Sequence, residues 1–304
     1  MAYERWRGVL SAITTKLDRD QNVDLAAVAG DVAFQIEGGV DGIICCGSLG
    51  EASTLTADEK LDVARVAKER AAGAVPVLLT IAEDSTRAAC KLAERAATAG
   101  IDGLMVLPAM RYVADDRETV AHFRELARAS DLSAIIYNNP VAYAIDLRPP
   151  LLAELADEPC FTAIKESSAD LRSVTDIHNL LGERYEILTG VDDLALESLV
   201  LGCSGWIAGL VCAFPKETVA IYRLVQEGRI EEARAIYRWF MPLLHLDFST
   251  KFVQNIKLVE HLVRGTSSTV RQPRLELIGA EREQVLAIVE KALASRPDLD
   301  RYFR

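Results

Sequence analysis

Short apolar runs and amphipathic segments alternate along most of the chain. The apolar runs, each of a length typical of a buried strand, cover residues 8–14, 42–46, 75–82, 102–108, 133–139, 161–166, 186–190 and 205–211. Segments with helical periodicity lie near 24–38, 57–72, 85–99, 117–130, 148–156, 172–181, 193–202 and 216–227. Strands that read as continuous apolar runs and are separated by helices are typical of parallel sheets. Eight such units in strict alternation predict a closed (β/α)8 barrel, a TIM barrel.

The boundaries of the units support this prediction. In the third helical segment Ser85 is the expected N-cap and Gly100 the expected stop. A doubly wound open sheet is the structural alternative, but no GxGxxG follows the first strand, and eight units without a break favour closure. The remaining chain is helical, so we expect a barrel domain over 1–228 and a C-terminal helical extension of about three helices over 229–304.

Composition narrows the class of protein and of partner. The chain has 304 residues and a formal net charge of −11, which argues against nucleic acid or an anionic membrane as partner, since both demand clustered Lys and Arg. The N-terminal segment lacks the apolar core of a signal peptide, and no window approaches the ~18 apolar residues of a membrane span. Six scattered cysteines read as free thiols in a reducing compartment. We therefore expect a cytoplasmic protein that acts on a small molecule.

The histidines give no indication of a metal centre. The chain has four, and their spacing matches no ligand pattern. His122 and His178 fall in helical segments and are interpreted as helix-surface residues. No metal ion and no other cofactor is therefore expected, and a metal-dependent class II aldolase is the less favoured reading.

Lys165 stands out in the stretch CFTAIKESS (160–168), because it follows an apolar run directly. An ammonium group desolvated without a partner loses several kcal/mol. A lysine at a strand end is usually a snorkelling surface residue or half of an ion pair, here with Glu166. The alternative is chemical: burial lowers the pKa of an amine, so a neutral, nucleophilic fraction exists near neutral pH. Such an amine attacks a 2-oxo acid to form a Schiff base.

The ends of the fifth and second strands are expected at the same end of the barrel as Lys165. Tyr137 lies 28 residues before Lys165, one βα repeat, so it is expected at a similar height on the neighbouring strand, where its phenol can carry protons. The GSLG loop after the second strand can aim the N–H groups after Gly47 at a substrate carboxylate, with the Ser48 hydroxyl extending the proton relay. The ordinary readings are a core tyrosine and a tight turn. An active site is nevertheless favoured, because Lys165, Tyr137 and the GSLG loop occur together at three βα ends.

The motifs resemble those of a known superfamily. GSLGE (47–51), YNNP (137–140), IKES (164–167), TGVDD (189–193) and GWIAG (205–209) are similar, in order and spacing, to signatures of the dihydrodipicolinate synthase/N-acetylneuraminate lyase superfamily. The resemblance implies a (β/α)8 barrel of the class I, Schiff-base lyases. It also implies a homotetramer built as a dimer of dimers.

The resemblance implies roles for individual residues. Lys165 falls on the Schiff-base lysine and Tyr137 on the acid/base tyrosine. Ser48 and Leu49 fall on the pair that binds the substrate carboxylate, and Ile207 falls on the position whose backbone carbonyl faces the site.

Three departures bear on the substrate. Dihydrodipicolinate synthases carry a second threonine where this chain has Leu49, and Met110 aligns with the tyrosine that they borrow from a neighbouring subunit. Tyr112, two residues further on, is the candidate to replace that phenol and is taken as a substrate-binding residue. Ala142 aligns with the arginine that binds the second substrate's carboxylate. Loss of a charged partner in a buried site costs roughly 2–5 kcal/mol of binding.

These departures favour the deaminase and dehydratase branches of the superfamily. The best prediction is deamination or dehydration of a 4-hydroxylated substrate, such as 1-pyrroline-4-hydroxy-2-carboxylate or a 2-keto-3-deoxy acid. A pyruvate-dependent aldolase or a dihydrodipicolinate synthase-type condensation is the alternative within the superfamily. A non-catalytic ligand-binding barrel is the alternative outside it, although simple binding needs neither Lys165 nor Tyr137.

Overall fold

The computed structural model of the chain describes residues 3–109, 112–299 and 302. Eight parallel strands form a closed barrel in chain order, in which the first strand pairs with the eighth. The strands are β1 (Gly8–Ala12), β2 (Gly42–Cys45), β3 (Val77–Ile81), β4 (Gly103–Val106), β5 (Ser133–Asn138), β6 (Phe161–Glu166), β7 (Glu186–Thr189) and β8 (Gly205–Ala208). The (β/α)8 barrel predicted from the alternation is confirmed, and closure rules out the doubly wound sheet.

Helices surround the barrel and extend beyond it. They are α1 (Leu25–Glu37), α2 (Ala57–Ala71), α3 (Thr86–Thr98), α4 (Asp116–Ala129), α5 (Pro140–Tyr143), α6 (Pro149–Glu154), α7 (Arg172–Leu181), α8 (Ala195–Val200), α9 (Pro215–Gln226), α10 (Ile230–Leu244), α11 (Phe252–Arg264) and α12 (Gly279–Ala294). Ser85 caps α3 as expected, by accepting a hydrogen bond from the Ala88 N–H. Within the described residues, no helix is long and apolar enough to cross a membrane.

The C-terminal helices are α10, α11 and α12, and the expected extension is therefore helical. The expected boundary between 1–228 and 229–304 lies in the turn between α9 and α10. The division of the chain into two domains at that point stays a prediction.

Apolar side chains pack in two layers, one inside the barrel and one between the strands and the surrounding helices. The inner layer, enclosed by the strands, is a separate cluster of large aliphatic residues, among them Leu10, Ile44, Leu78, Met105, Ile135, Leu188 and Ile207. The outer layer lies between strands and helices, where each strand places its alternate residues. His122 belongs to this buried region: it is 5% exposed and bonds the Leu107 carbonyl at 3.2 Å. Its interpretation as a helix-surface residue was wrong, because it lies on the side of α4 that faces the barrel.

A buried ion pair attaches the C-terminal extension to the second strand's loop. Lys257 on α11 donates from Nζ to Oε1 of Glu51, and both side chains are almost completely buried. The other carboxylate oxygen of Glu51 accepts from the Arg271 N–H at 2.9 Å. Lys257 also bonds the Thr269 carbonyl at 2.7 Å. The segment from α11 to Arg271 therefore holds the loop that ends in Glu51.

A second buried cluster joins α11 to the barrel. Lys16, just after β1, donates to Glu260 and lies 3.5 Å from Asp31, and Arg264 contacts both carboxylates. Thr14 Oγ1 donates to the remaining Glu260 oxygen at 2.7 Å. Buried charges persist only when they are paired in this way, so the cluster fixes α11 in one position.

Removal of the Lys257 ammonium should destabilise the fold strongly. Lys257→Met removes the hydrogen-bonded cation of buried Glu51 and leaves only Arg274, 3.8 Å away. Loss of one partner of a buried pair typically costs about 3–5 kcal/mol. Lys251→Met is the matched control, because Lys251 pairs with Glu281 at the surface, where a salt bridge contributes at most about 1 kcal/mol. Urea unfolding followed by circular dichroism measures both. Equal midpoints for the two variants would contradict the role given to the buried pair.

Candidate active site

Lys165 and Tyr137 lie side by side at the carboxyl ends of β6 and β5. The two residues are direct partners in the strand pairing, and Lys165 Nζ is 4.3 Å from the centroid of the Tyr137 ring. Strand alternation aims both side chains inward, because Ala163 and Ile135, two residues earlier on each strand, also belong to the inner layer. Both side chains are buried. The two expected chemical groups therefore meet in the mouth of the barrel.

The amine of Lys165 is electrostatically unusual. Burial lowers its pKa to about 8, although the carboxylates of Asp247 and Asp192 oppose the shift. Glu166, the expected ion-pair partner in the ordinary interpretation, instead accepts from the Ser168 N–H at 2.6 Å and from Asn138 Nδ2 at 3.1 Å. Near neutral pH about a tenth of an amine with this pKa is neutral, far more than for a free lysine. A neutral amine is the form that attacks a carbonyl.

A chain of hydroxyl groups leads away from Tyr137. The Ser48 hydroxyl is hydrogen-bonded to the Tyr143 phenol, and the Tyr143 ring packs edge-on against the Tyr137 ring at 6.0 Å between centroids. Ser48 also hydrogen-bonds Tyr137. Burial raises the pKa of both phenols, so both are protonated at neutral pH. The three hydroxyls can pass a proton to and from a group bound at Lys165.

Tyr143 is a residue that the sequence analysis missed. It ends α5, a single helical turn that the alternation did not predict. Pro140 occupies the first turn of α5, and the Asn139 side chain caps it by accepting from the Ala142 N–H at 3.0 Å. An Asn-Pro pair directly after a strand is the local signal for such a turn, and one turn brings residue 143 back over the mouth.

The Asn139 side chain has a second contact. Its Nδ2 donates to the Tyr137 phenol at 3.0 Å, while its Oδ1 caps α5. One amide therefore fixes both the Tyr137 phenol and the turn that carries Tyr143. The N–H donor also lowers the pKa of Tyr137, against the larger effect of burial.

The loop after β2 presents backbone donors. It turns back on itself through bonds from the Glu51 N–H to the Ser48 carbonyl and from the Ala52 N–H to the Gly47 carbonyl. Among the described residues, no acceptor lies against the N–H of Ser48 or of Leu49. The Leu49 side chain is 5% exposed and packs in the apolar core. Two unused donors beside a hydroxyl suit a carboxylate.

Two carboxylates lie on the β8 side of the mouth, and they differ in their hydrogen-bond partners. Asp192 accepts from Trp206 Nε1 at 2.9 Å and from the N–H groups of Gly209 and Leu210, so it holds the turn after β8. Asp247 lies in a 3₁₀ turn over His245–Asp247, and its Oδ1 is 2.8 Å from the place that a Cβ on Gly209 would occupy. The sequence analysis missed Asp247, because this residue lies in the C-terminal extension, which was predicted only to be helical.

The remaining predicted residues lie as follows. The Ile207 side chain is buried in the inner layer, and the role of its backbone carbonyl stays a prediction. Tyr112 is 59% exposed in this chain and its phenol bonds Glu118, away from Ser48. Its role in substrate binding also stays a prediction. Met110 lies outside the described residues. Ala142 is exposed and contributes no charge.

A guanidinium group also lies near the site. Arg274 is the cation whose charge acts on Tyr143, and its Nη1 lies 3.8 Å from Glu51. Throughout residues 3–109 and 112–299, no group of three or more His, Cys, Asp or Glu side chains is arranged to hold a metal ion. The absence of a cofactor stays a prediction.

Comparison with known proteins gives one consistent answer. The model of the Dihydrodipicolinate synthetase family matches residues 5–292. A curated relative from Methanoculleus marisnigri, named 4-hydroxy-tetrahydrodipicolinate synthase, is 30% identical over 287 residues, which cover 93% of this chain and 98% of the relative.

Solved structures agree with the sequence comparison. Dihydrodipicolinate synthase from Aquifex aeolicus superimposes with a TM-score of 0.90 at 27% identity, over 94% of this chain and 98% of its own. YagE from E. coli K12, a prophage protein of the dihydrodipicolinic acid synthase family in complex with pyruvate, gives 0.89 at 25% identity, over 95% and 99%. The chain therefore belongs to the dihydrodipicolinate synthetase family and is an enzyme of the lysine Schiff-base, class I type.

Proposed function

We propose that this enzyme binds a single 4-hydroxylated 2-oxo acid, or the corresponding cyclic 2-imino acid, on Lys165 and removes its C4 hydroxyl, as a dehydratase or deaminase. The observation that carries the proposal is at Ala142. This exposed residue stands where the resemblance places the arginine for a second substrate's carboxylate. Elimination from one substrate needs no such group.

The first step is the formation of the Schiff base. Neutral Lys165 attacks C2, and the hydroxyl that leaves from the carbinolamine takes a proton from the Tyr137 phenol and departs as water. The products are a protonated imine, the iminium, and a phenolate. The position of Nζ, 4.3 Å from the Tyr137 ring centroid, supports this pairing. The two opposite charges stabilise one another in a buried site.

The second step makes the enamine. The Tyr137 phenolate removes a proton from C3. The electrons of the broken C–H bond form a C2=C3 double bond, and the electrons of the C=N double bond become a lone pair on nitrogen, which gives a neutral enamine. The Ser48 and Tyr143 hydroxyls extend the path by which the proton reaches or leaves Tyr137. The unused N–H groups of Ser48 and Leu49 are suited to the C1 carboxylate of the substrate.

The third step distinguishes this proposal from condensation. The enamine electrons form a C3=C4 double bond while the C4 hydroxyl leaves as water. Hydrolysis of the conjugated iminium then frees an unsaturated 2-oxo acid. In a cyclic imino acid, attack by Lys165 on C2 breaks the bond between C2 and the ring nitrogen, which becomes a C5 amine. After the C4 hydroxyl has left, a proton shift from C5 to C3 converts this amine to a C5 imine. Hydrolysis of the C5 imine gives an aldehyde and ammonia.

A synthase-type condensation is the second candidate. The name of the Methanoculleus marisnigri relative favours it. Arg274 also favours it, because its charge reaches Tyr143 and a guanidinium can bind a second carboxylate. The contact between Arg274 and Glu51 weakens this candidate, since the cation already has an anionic partner. A homotetrameric assembly and a cytoplasmic location, both implied at the sequence level, belong to either proposal.

Reductive trapping should modify Lys165. Borohydride added after pyruvate should fix the adduct on this lysine. The trapping rate should rise about tenfold per pH unit between about pH 6 and pH 8 and then level off, because the neutral amine reacts and its pKa is about 8. Peptide mass spectrometry locates the adduct. Lys165→Met should abolish it, and Lys216→Met, at an exposed lysine of α9, should not. An adduct on another lysine would refute the assignment.

Tyr143 and Tyr112 are the two candidates for the phenol of the proton relay. Deleting each hydroxyl in turn should show which of them affects turnover. Tyr143→Phe deletes the hydroxyl that bonds Ser48, so turnover should fall by about 10²-fold or more, the effect of a positioned acid/base group. Tyr112→Phe should keep turnover within about threefold, because that phenol faces Glu118. Steady-state rates on one substrate give both values. The reverse order would return Tyr112 to the relay.

The substrate preference should favour elimination. The specificity constants for 1-pyrroline-4-hydroxy-2-carboxylate and for 2-keto-3-deoxy acids should exceed that for pyruvate with aspartate semialdehyde. Ala142→Arg should raise the condensation rate, because it puts a guanidinium, which can bind a carboxylate, where the resemblance places the arginine for the second substrate. Ala142→Gln, of similar length and no charge, is the control. A higher specificity constant for the semialdehyde in the unmodified enzyme would favour the second candidate.

A further inference from the structure

We infer that Asp247 is the general acid that protonates the departing C4 hydroxyl. The inference rests on the proposed function and adds the group that the elimination step still lacks. Lys165 and Tyr137 account for the chemistry at C2 and C3. Lys165 holds the substrate, and Tyr137 stands on β5, three strands from the β8 side of the mouth.

The position of Asp247 is suited to a substrate atom beyond C3. The 3₁₀ turn over His245–Asp247 follows α10 and brings the carboxyl to the turn after β8. In the barrel order, β8 is two strands from β6 and three from β5. With C2 held at Lys165 and C1 at the loop after β2, the inference places C4 of the substrate on the β8 side of the mouth.

Gly209 makes the approach of Asp247 possible. A Cβ at this glycine would lie 2.8 Å from Asp247 Oδ1 and 3.3 Å from Leu49 Cδ2. The carboxyl thus lies next to Leu49, in the loop whose N–H groups suit the substrate's C1 carboxylate. Both ends of a short 2-oxo acid would then have a partner within one mouth.

Asp247 is also the carboxyl that no protein donor occupies. Asp192 accepts from Trp206 and the backbone after β8, and Asp193 bonds His245 Nδ1 at 2.9 Å. Within the residues that the structure describes, no N–H or O–H group donates to Asp247. A partly buried polar side chain without a protein partner is a group that a ligand can use.

The surrounding charges favour the acid form before the reaction and the anion after it. Burial and the negative charge of Asp192 raise the pKa of Asp247 well above its usual range, and the charge of Lys165 opposes them. When the amine is neutral, the carboxyl therefore keeps its proton. When the elimination regenerates the iminium, that positive charge stabilises the new carboxylate.

The elimination begins with the lone pair of the enamine nitrogen, which restores the iminium. The electrons of the C2=C3 bond then form the C3=C4 bond, and the C4–O bond breaks. The proton of Asp247 joins the departing oxygen, which leaves as water, and Asp247 becomes a carboxylate. During hydrolysis, this carboxylate accepts a proton from the water that attacks C2, so the acid form is restored.

The test uses a leaving group that needs no proton. Asp247→Asn keeps the size of the side chain and removes the acid. The probes are 1-pyrroline-4-hydroxy-2-carboxylate and 4-hydroxy-2-oxopentanoate, each with its 4-fluoro analogue, since fluoride departs without protonation. We expect the variant to lose about 10²–10⁴-fold on the hydroxy compounds and less than about tenfold on the fluoro compounds. Borohydride trapping of pyruvate should persist and should not become slower, because pyruvate has no C4 and loss of the Asp247 charge lowers the pKa of Lys165 further.

Glu281→Gln is the matched control, because it removes an exposed carboxylate of the same C-terminal extension that pairs with Lys251. It should keep both activities. If the unmodified enzyme eliminates the hydroxyl and Asp247→Asn loses the hydroxy and fluoro reactions equally, or neither, Asp247 is not the acid and the proposed function stands. If the unmodified enzyme releases neither water nor fluoride, the proposed function fails and the inference fails with it.

Discussion

The ion pair between Glu51 and Lys257 joins two parts of the chain that are far apart in sequence, and the mouth of the barrel depends on it. Glu51 ends the loop that carries Ser48 and Leu49, and Lys257 belongs to α11, which follows the turn containing Asp247. Each charge is buried and would be unstable without the other. Folding of the C-terminal extension therefore places the loop of Ser48 and Leu49 and the turn of Asp247 at the same end of the barrel.

The hydroxyl chain from Tyr137 through Ser48 to Tyr143 lies within a single chain. Its last phenol comes from α5, whose residues follow β5 directly. Tyr137, the first phenol of this chain, and Lys165 thus stand on neighbouring strands of one barrel, where strand pairing fixes their separation. Rigid strands are better suited than loops to hold reacting groups at short distances.

Residues whose position follows from regular structure could be predicted. Eight apolar runs predicted the barrel, and the spacing of one βα repeat predicted that Tyr137 and Lys165 lie on neighbouring strands at its mouth. Tyr143 and Asp247 could not be found in this way. Both lie in single turns, and their contacts with Ser48 and Gly209 are set by tertiary packing rather than by periodicity. The buried position of His122 likewise depends on which side of α4 faces the barrel.

The cap of α5 has a consequence for how this site can change over evolutionary time. Asn139 caps the turn through the backbone N–H of residue 142 and not through its side chain, while its other amide atom fixes Tyr137. Any residue except proline supplies that N–H. The side chain at position 142 can therefore be exchanged while Tyr137 keeps its place. A new side chain at the mouth and a fixed Tyr137 phenol depend on separate atoms of the same turn.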